Sequence, residues 1–203
     1  MAVRVKICGV RTVGDAIAAA RAGADFLGLN FHPPSPRCVD RDTARAIVQA
    51  VPDTPCVGVF VDRPADEIVA IVREVGLAAV QLHGHEAPVA CRGLGCRTIK
   101  ALWARPGMDL PALAAAYETD WLLLDAWVEG MPGGTGVAVD LAMVRGLPRE
   151  RLFLAGGLRV DNVAEVVRQV RPFAVDVASG VERAPGIKDH ESIAEFIRRA
   201  KTA

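Results

Sequence analysis

The sequence predicts a (β/α)8 TIM barrel, an α/β fold formed by a single domain over residues 1–203. Short strands rich in valine, leucine and isoleucine alternate with helical patterns along the whole chain. Such alternation produces a parallel sheet, whose strands are covered on both faces and are therefore apolar almost throughout. Eight strand–helix units can be recognised, and eight such units close naturally into a barrel. No linker-like stretch interrupts them, so we expect one domain.

Each predicted strand is a short apolar run. The eight strands are residues 3–8, 25–31, 56–61, 78–83, 98–102, 121–126, 152–157 and 174–179. Amphipathic patterns predict helices over 12–23, 65–76, 161–170 and 190–200. The first helix begins at Thr12 with Asp15 three residues later, as in a capping box, and it ends at Gly23. The rival fold, an open doubly wound sheet, usually has fewer strands and often a GxGxxG motif, whereas only Gly9 and Gly14 follow this first strand.

The composition argues against several classes of function. Lys and Arg number 24 against 24 Asp and Glu, with no block of like charge, so we expect neither nucleic acid nor an acidic membrane surface as a partner. No apolar run approaches the roughly 20 residues of a membrane span, and the N-terminus lacks the apolar core of a secretory signal. The five cysteines are odd in number and scattered, which predicts a cytoplasmic, reducing setting without disulfides. Cys91 and Cys96 have no convincing zinc partners nearby, so we expect no metal site.

Two candidate functional residues follow from the barrel, because active sites in this fold lie at the C-terminal ends of the strands. Cys8 ends the first strand and is followed by Gly9. It is either a small buried hydrophobe or a nucleophile or base at the barrel mouth. Asp125 is the one charged residue of the apolar sixth strand and lies near its end. It is either an acid of the site or a structural cap for backbone N–H groups of a loop.

Three glycine-bearing loops would surround the same mouth, over residues 132–136, 155–158 and 179–182. Glycine lets backbone N–H groups approach an anion closely, and phosphate sites in this fold often use the loops after strands seven and eight. A single loop of this kind is explained by a tight turn alone, but three together predict a phosphate site. Its expected residues are Gly134, Gly136, Gly156, Gly157, Ser179 and Gly180.

The loop after the second strand, residues 31–40, carries a further candidate. Its three prolines make the backbone stiff, and Arg37 follows the last of them. A guanidinium held on a stiff loop suits bidentate binding of a carboxylate or phosphate. The alternative is a surface arginine paired with Asp40 or Asp42.

A resemblance to a known family rests on an ordered set of motifs that spans nearly the whole chain. The motifs are KICG, SPR, VGVFV, QLHG, LLLD, GGTG, AGGL, SGVE and PGIKD. This set resembles the phosphoribosylanthranilate isomerase family of tryptophan biosynthesis. The resemblance implies a cofactor-free barrel that carries out an acid–base Amadori rearrangement of N-(5-phosphoribosyl)anthranilate. It also implies that Cys8 is the general base, that Asp125 is the general acid, that Arg37 binds the anthranilate carboxylate, and that the glycine loops hold the phosphate.

The implied chemistry makes demands on these residues and leaves alternatives. Asp125 has to be held protonated near neutral pH, and a lowered pKa would make the Cys8 thiol a better base. Two departures from the family pattern affect the phosphate contacts: no aromatic residue follows GGTG, and Ala178 stands where serine is common. The alternative functions are a histidine-pathway aminoaldose isomerase, for which the resemblance implies an aspartate in place of Cys8 and a longer chain, and a non-enzymatic phosphosugar-binding barrel. We expect a small phosphosugar ligand, no cofactor, and a monomer or homodimer.

Overall fold

The computed structural model describes residues 2–105, 107–126 and 141–203, and its central feature is a closed barrel of eight parallel strands in chain order. The strands are β1 Arg4–Cys8, β2 Phe26–Asn30, β3 Cys56–Phe60, β4 Ala79–Leu82, β5 Arg97–Ala104, β6 Trp121–Ala126, β7 Leu152–Leu154 and β8 Ala174–Val177. β8 pairs with β1, with Lys6 opposite Asp176, and this pairing closes the sheet. The predicted barrel is therefore confirmed, and the open doubly wound sheet is wrong.

Six α-helices lie in the described part of the chain. They are α1 Val13–Arg21, α2 Arg41–Ala50, α3 Ala65–Val75, α4 Leu110–Ala115, α5 Val163–Val170 and α6 His190–Lys201. The predicted start of α1 is confirmed, because the Thr12 hydroxyl accepts a hydrogen bond from the Asp15 N–H at 3.0 Å. The unit after β4 differs from the expected pattern, since it contains a single 3₁₀ turn, Pro88–Cys91. Gly93 and Gly95 follow this turn, and both disfavour a longer helix.

The apolar residues form two separate clusters. The larger cluster lies between the barrel and the surrounding helices, and the smaller one fills the barrel interior. At the N-terminal end of the interior, the rings of Phe26, Trp121 and Phe153 pack with centroids 5.4 to 5.9 Å apart. We call these three residues the aromatic plug. Edge-to-face and tilted ring contacts of this kind stabilise beyond the area that they bury, so this end of the barrel is a packed core.

The interior becomes polar toward the C-terminal ends of the strands. Ala79, Leu123 and Ala174 belong to the interior cluster. Residues two positions further along a strand face the same side. Those residues are Gln81, Asp125 and Asp176, and all three are buried. A polar layer therefore lies on the apolar one, at the end of the barrel where this fold carries its active sites.

The connection after β8 contains a small element that is absent from the predicted strands and helices. A 3₁₀ turn, Ser179–Val181, leads into an antiparallel hairpin of β9 (Glu182–Ala184) and β10 (Ile187–Lys188). The hairpin brings Glu182 and Lys188 together, with 2.7 Å between Lys188 Nζ and Glu182 Oε1. In the described ranges, no helix is both long and apolar enough to cross a membrane.

Candidate active site

A cavity of about 420 Å³ opens at the C-terminal end of the barrel and brings together the three candidate side chains, Cys8, Arg37 and Asp125. A smaller recess of about 40 Å³ adjoins it, and Asp125 lines both. Four of the six predicted phosphate residues line the recess: Gly156, Gly157, Ser179 and Gly180. The other two, Gly134 and Gly136, lie outside the described residues.

Cys8 is the last residue of β1 and is partly exposed to the cavity. Gly9 has a φ of 74°, and a Cβ at that position would lie 2.5 Å from Cδ of Arg37. The glycine therefore lets the chain turn sharply after the thiol and lets the Arg37 side chain pass directly over the turn. Burial raises the pKa of the Cys8 thiol, and the opposing effect of the Lys6 ammonium is smaller. The lowered pKa that would make Cys8 a better base is therefore not produced by its surroundings, although the positive charge of Lys6 lies near the thiol.

Asp125 is buried near the end of β6. Its Oδ1 accepts a hydrogen bond from the Ala126 N–H at 2.8 Å, and its Oδ2 lies 3.5 Å from His83 Nε2. The carboxyl therefore caps one backbone N–H group and also faces both the main cavity and the glycine-lined recess. This position lets one oxygen be held while the group remains within reach of a bound ligand.

Arg37 is paired with Glu182, so the predicted alternative partners, Asp40 and Asp42, are wrong. Arg37 Nε donates to Glu182 Oε1 at 2.9 Å and Nη2 donates to Oε2 at 2.8 Å, a bidentate pair. Asp40 instead caps α2 by accepting the Thr43 N–H at 2.7 Å. Because Nε and Nη2 hold Glu182, the Nη1 side of the guanidinium is the side left for a ligand carboxylate.

Glu182 lies between two cations, since the Lys188 ammonium also donates to its Oε1. Burial alone would raise the pKa of the Glu182 carboxyl, but Arg37 and Lys188 outweigh burial and hold this pKa below its ordinary value. In return, the hydrogen bond from Arg37 to Glu182 raises the pKa of the guanidinium. The cluster of Arg37, Glu182 and Lys188 carries one net positive charge at the rim of the cavity, which favours an anionic ligand.

A hydrogen-bonded chain crosses the polar layer of the barrel, and its members are not among the residues predicted to form the site. Lys6 Nζ donates to Asp176 Oδ1 at 2.8 Å and to Gln81 Oε1 at 2.9 Å. Gln81 Nε2 lies 2.7 Å from His83 Nδ1, and His83 then faces Asp125. A signal was available for two of them, because Gln81 and Asp176 are polar residues inside otherwise apolar strands, as Asp125 is.

The recess owes its shape to the close approach of the loops after β7 and β8. A Cβ added to Gly180 would collide with the Leu158 carbonyl oxygen, so only glycine fits there. Gly156 and Gly157 have φ values of 83° and 64°, which turn the chain immediately after β7. Among the described residues, no group of three or more His, Cys, Asp and Glu side chains is arranged to hold a metal ion.

Comparisons with known proteins agree on one family. A family model described as N-(5'phosphoribosyl)anthranilate (PRA) isomerase matches residues 5–199. Curated relatives named N-(5'-phosphoribosyl)anthranilate isomerase come from Myxococcus xanthus, 50% identical over 100% of this chain and 98% of the relative, and from Azotobacter vinelandii, 47% identical over 100% and 99%. A solved phosphoribosyl anthranilate isomerase from Thermotoga maritima is 39% identical, with a TM-score of 0.90 over 99% of this chain and 100% of that one. Another solved isomerase, 38% identical with a TM-score of 0.85 over 99% and 100%, is a complex with reduced 1-(o-carboxyphenylamino)-1-deoxyribulose 5-phosphate.

Proposed function

Because this chain belongs to the N-(5'-phosphoribosyl)anthranilate isomerase family, we propose that it converts N-(5-phosphoribosyl)anthranilate into 1-(2-carboxyphenylamino)-1-deoxyribulose 5-phosphate in tryptophan biosynthesis. One observation supports this function most directly. A thiol, a carboxyl and a guanidinium line a single cavity next to a glycine-lined recess. The substrate has matching parts: a sugar ring to be opened, a carboxylate at one end and a phosphate at the other.

Asp125 acts first in the proposed reaction, as a general acid. Its carboxyl O–H bond breaks, and the proton passes to the ring oxygen of the ribose as the bond from C1 to that oxygen breaks. The lone pair of the anthranilate nitrogen forms the second bond of a C1=N iminium, and the O–H electron pair remains on the carboxylate. The Ala126 N–H, 2.8 Å from Oδ1, stabilises the carboxylate that results.

Cys8 then acts as the general base and removes the proton from C2. The C–H electron pair forms the C1=C2 bond, and the iminium electrons return to nitrogen, so the iminium itself is the electron sink. The enolamine gains a proton at C1 and loses its C2 hydroxyl proton to become the ketone. Burial raises the pKa of the Cys8 thiol, and the nearby Lys6 ammonium acts in the opposite direction, toward the thiolate that the step needs.

Two anchors hold the reacting carbons between these groups. We propose that Arg37 binds the anthranilate carboxylate through its Nη1 side, while Gly156, Gly157, Ser179 and Gly180 bind the phosphate through the recess. Gly134 and Gly136 complete the phosphate site in this proposal. Fixing both ends of the substrate lowers the entropy cost of aligning C1 and C2 with the acid and the base.

The whole chain, residues 1–203, forms the proposed catalytic domain. We propose a cytoplasmic location, which the five free thiols support because reducing compartments keep cysteines unpaired. We also propose a monomer or a homodimer. A relative from Thermotoga maritima is described as a dimeric isomerase from which monomers were generated, and light scattering on this chain would distinguish the two states.

The test is a direct assay with freshly generated phosphoribosylanthranilate, followed by the loss of anthranilate-type fluorescence. Turnover of this substrate, with none of the histidine-pathway aminoaldose, would support the proposal. Tight binding without turnover would instead indicate a phosphosugar-binding barrel, and turnover of the histidine-pathway substrate alone would contradict the assignment.

A further inference from the structure

The ring of His83 is buried above β4, and its Nε2 has no hydrogen-bond partner among residues 2–105, 107–126 and 141–203. Asp125 Oδ2 lies 3.5 Å from this nitrogen. The backbone of His83 is fixed, because its N–H donates to the Phe60 carbonyl oxygen at 2.8 Å. The ring also packs edge-on against Trp103, with centroids 6.3 Å apart. A buried polar atom without a partner is costly, so its position here needs a reason.

The hydrogen bonds that lead from Lys6 through Gln81 determine which ring nitrogen of His83 carries the proton. An ammonium can only donate hydrogen bonds, so the Gln81 atom at 2.9 Å from Lys6 Nζ must be the amide oxygen. The other end of the Gln81 amide is therefore its NH₂ group, which lies 2.7 Å from His83 Nδ1. Because this NH₂ can only donate, Nδ1 must accept, and the proton of the neutral ring is on Nε2. Asp176 holds Lys6 at the start of the chain, at 2.8 Å.

We propose that Lys6 and Gln81 fix His83 in the tautomer whose Nε2–H faces Asp125, and that this N–H stabilises the Asp125 carboxylate as it forms. This inference rests on the proposed function, in which Asp125 gives its proton to the substrate. His83 is thus a positioning residue that acts through Asp125. While Asp125 is protonated, the Nε2–H faces a neutral and therefore weaker acceptor. It gains a charged acceptor when the proton leaves, so the interaction strengthens in the transition state. A distance of 3.5 Å without ligand is compatible with this role, because catalytic hydrogen bonds often tighten only in the complex.

The tautomer can be tested without any substrate. In ¹⁵N-histidine-labelled wild-type protein, the His83 resonances, identified by their absence from the His83→Leu spectrum, should show a protonated Nε2 and an unprotonated Nδ1. Gln81→Met removes the donor to Nδ1, so protonation at Nδ1 should become detectable. Gln49→Met, which changes an exposed glutamine on α2, should leave the His83 spectrum unchanged. A protonated Nδ1 in the wild-type protein at neutral pH would overturn the proposal.

Kinetics test the effect on Asp125. His83→Leu should lower kcat by roughly 10- to 100-fold, the effect of losing one hydrogen bond to a charged group, with KM nearly unchanged. His83→Gln should retain most of the activity, because its amide can accept from Gln81 at one end and donate to Asp125 at the other. His85→Leu is the matched control, since His85 is exposed, lies two residues away and does not line the cavity. Its kcat should equal that of the wild type.

The outcomes separate this proposal from the proposed function. Failure of the wild-type protein to turn over phosphoribosylanthranilate would contradict the proposed function, and the NMR spectrum would still show which tautomer His83 adopts. Active wild-type protein with an unchanged kcat in His83→Leu, or with a rise in KM alone, would overturn the positioning role. If His83→Leu does not fold, the comparison of His83→Gln with wild type decides: a loss of kcat as large as 100-fold, in a folded variant that binds product, would count against the proposal.

Discussion

Asparagine at position 125 would separate the proposed catalytic role of Asp125 from a structural one. In the structure, Asp125 Oδ1 accepts the Ala126 N–H at 2.8 Å, and Oδ2 approaches His83 without a short hydrogen bond. The Asp125→Asn side chain has the same shape and still offers an oxygen to the Ala126 N–H. It lacks the acidic proton and the negative charge that remains when the proton leaves, and its NH₂ group takes the place of Oδ2 near His83 Nε2. The substitution therefore changes the chemistry of the side chain and leaves its volume almost unchanged.

The magnitudes of the two effects can be set against each other. A hydrogen bond such as that from Ala126 contributes about 0.5–1.5 kcal/mol, and a change of 1 kcal/mol shifts the melting temperature of a domain of this size by about 2–4 °C. Because the bond survives in Asp125→Asn, the melting temperature should change by less than about 4 °C. Losing a general acid should lower kcat by about 10²- to 10⁴-fold, which raises the barrier by roughly 2.7–5.4 kcal/mol.

The assay combines turnover by fluorescence, titration with the reduced product analogue and thermal unfolding. Asp53→Asn makes the same chemical change at an exposed aspartate and should match the wild type in all three measurements. A folded Asp125→Asn protein that binds the analogue and turns over near the wild-type rate would refute the acid assignment. Activity that falls only in proportion to the folded fraction would show that Asp125 serves as a structural cap.

Three further predictions concern the base and the two anchors. Cys8→Ala should lower kcat by at least about 100-fold. Because burial raises the pKa of the Cys8 thiol, kcat/KM of the wild-type protein should still rise with pH above neutrality. The same rise in the Cys8→Ala variant would exclude Cys8 as its source. Arg37→Ala should weaken binding of the product analogue by roughly 10- to 100-fold, and Arg37→Lys should restore only part of it, so full recovery with lysine would contradict a role for the guanidinium geometry. Gly180→Ala forces the loops of the recess apart at a cost of about 1–3 kcal/mol, so inhibition by inorganic phosphate should weaken by roughly 10-fold. Gly14→Ala is the control, because there is room for a Cβ at that position, and it should leave inhibition unchanged. Equal inhibition of both variants would contradict phosphate binding in this recess.

The strand order could be predicted because every strand is a short apolar run between helical patterns, but the strand ends could not. The seventh strand is predicted over 152–157 and ends at Leu154, since Gly156 and Gly157 adopt left-handed backbone angles outside the β region. Conversely, β5 extends beyond its predicted range, to Arg97–Ala104, because all of its length finds partners on β4 or β6. Pairing with neighbours, which a single sequence does not show, decides where a strand stops.

The sequence predicts part of the site, but it does not show whether a strand side chain points into the barrel or outward. A lone charge in an apolar strand pointed to Asp125, and the same reasoning would have selected Asp176 and Lys100. Asp176 faces the barrel interior, whereas Lys100 alternates with the interior residues of β5 and faces outward, where it donates to Glu86 at 2.7 Å. Counting alternate residues from a known interior position separates the two cases. The pairing of Arg37 with Glu182 lay beyond this kind of reasoning, because 145 residues separate them in the chain.

The two halves of the barrel interior offer protein engineers unequal freedom. Around the aromatic plug of Phe26, Trp121 and Phe153, an apolar substitution changes only the packing volume of the side chain. A library restricted to apolar residues can therefore be selected for thermal stability alone. In the polar layer, an apolar residue in place of Lys6 would leave the buried Asp176 carboxylate without its counter-charge. Breaking such a buried pair lowers the free energy of unfolding by about 3–5 kcal/mol. Selection for stability can therefore be carried out first at the aromatic plug, and selection for new substrates afterwards in the polar layer.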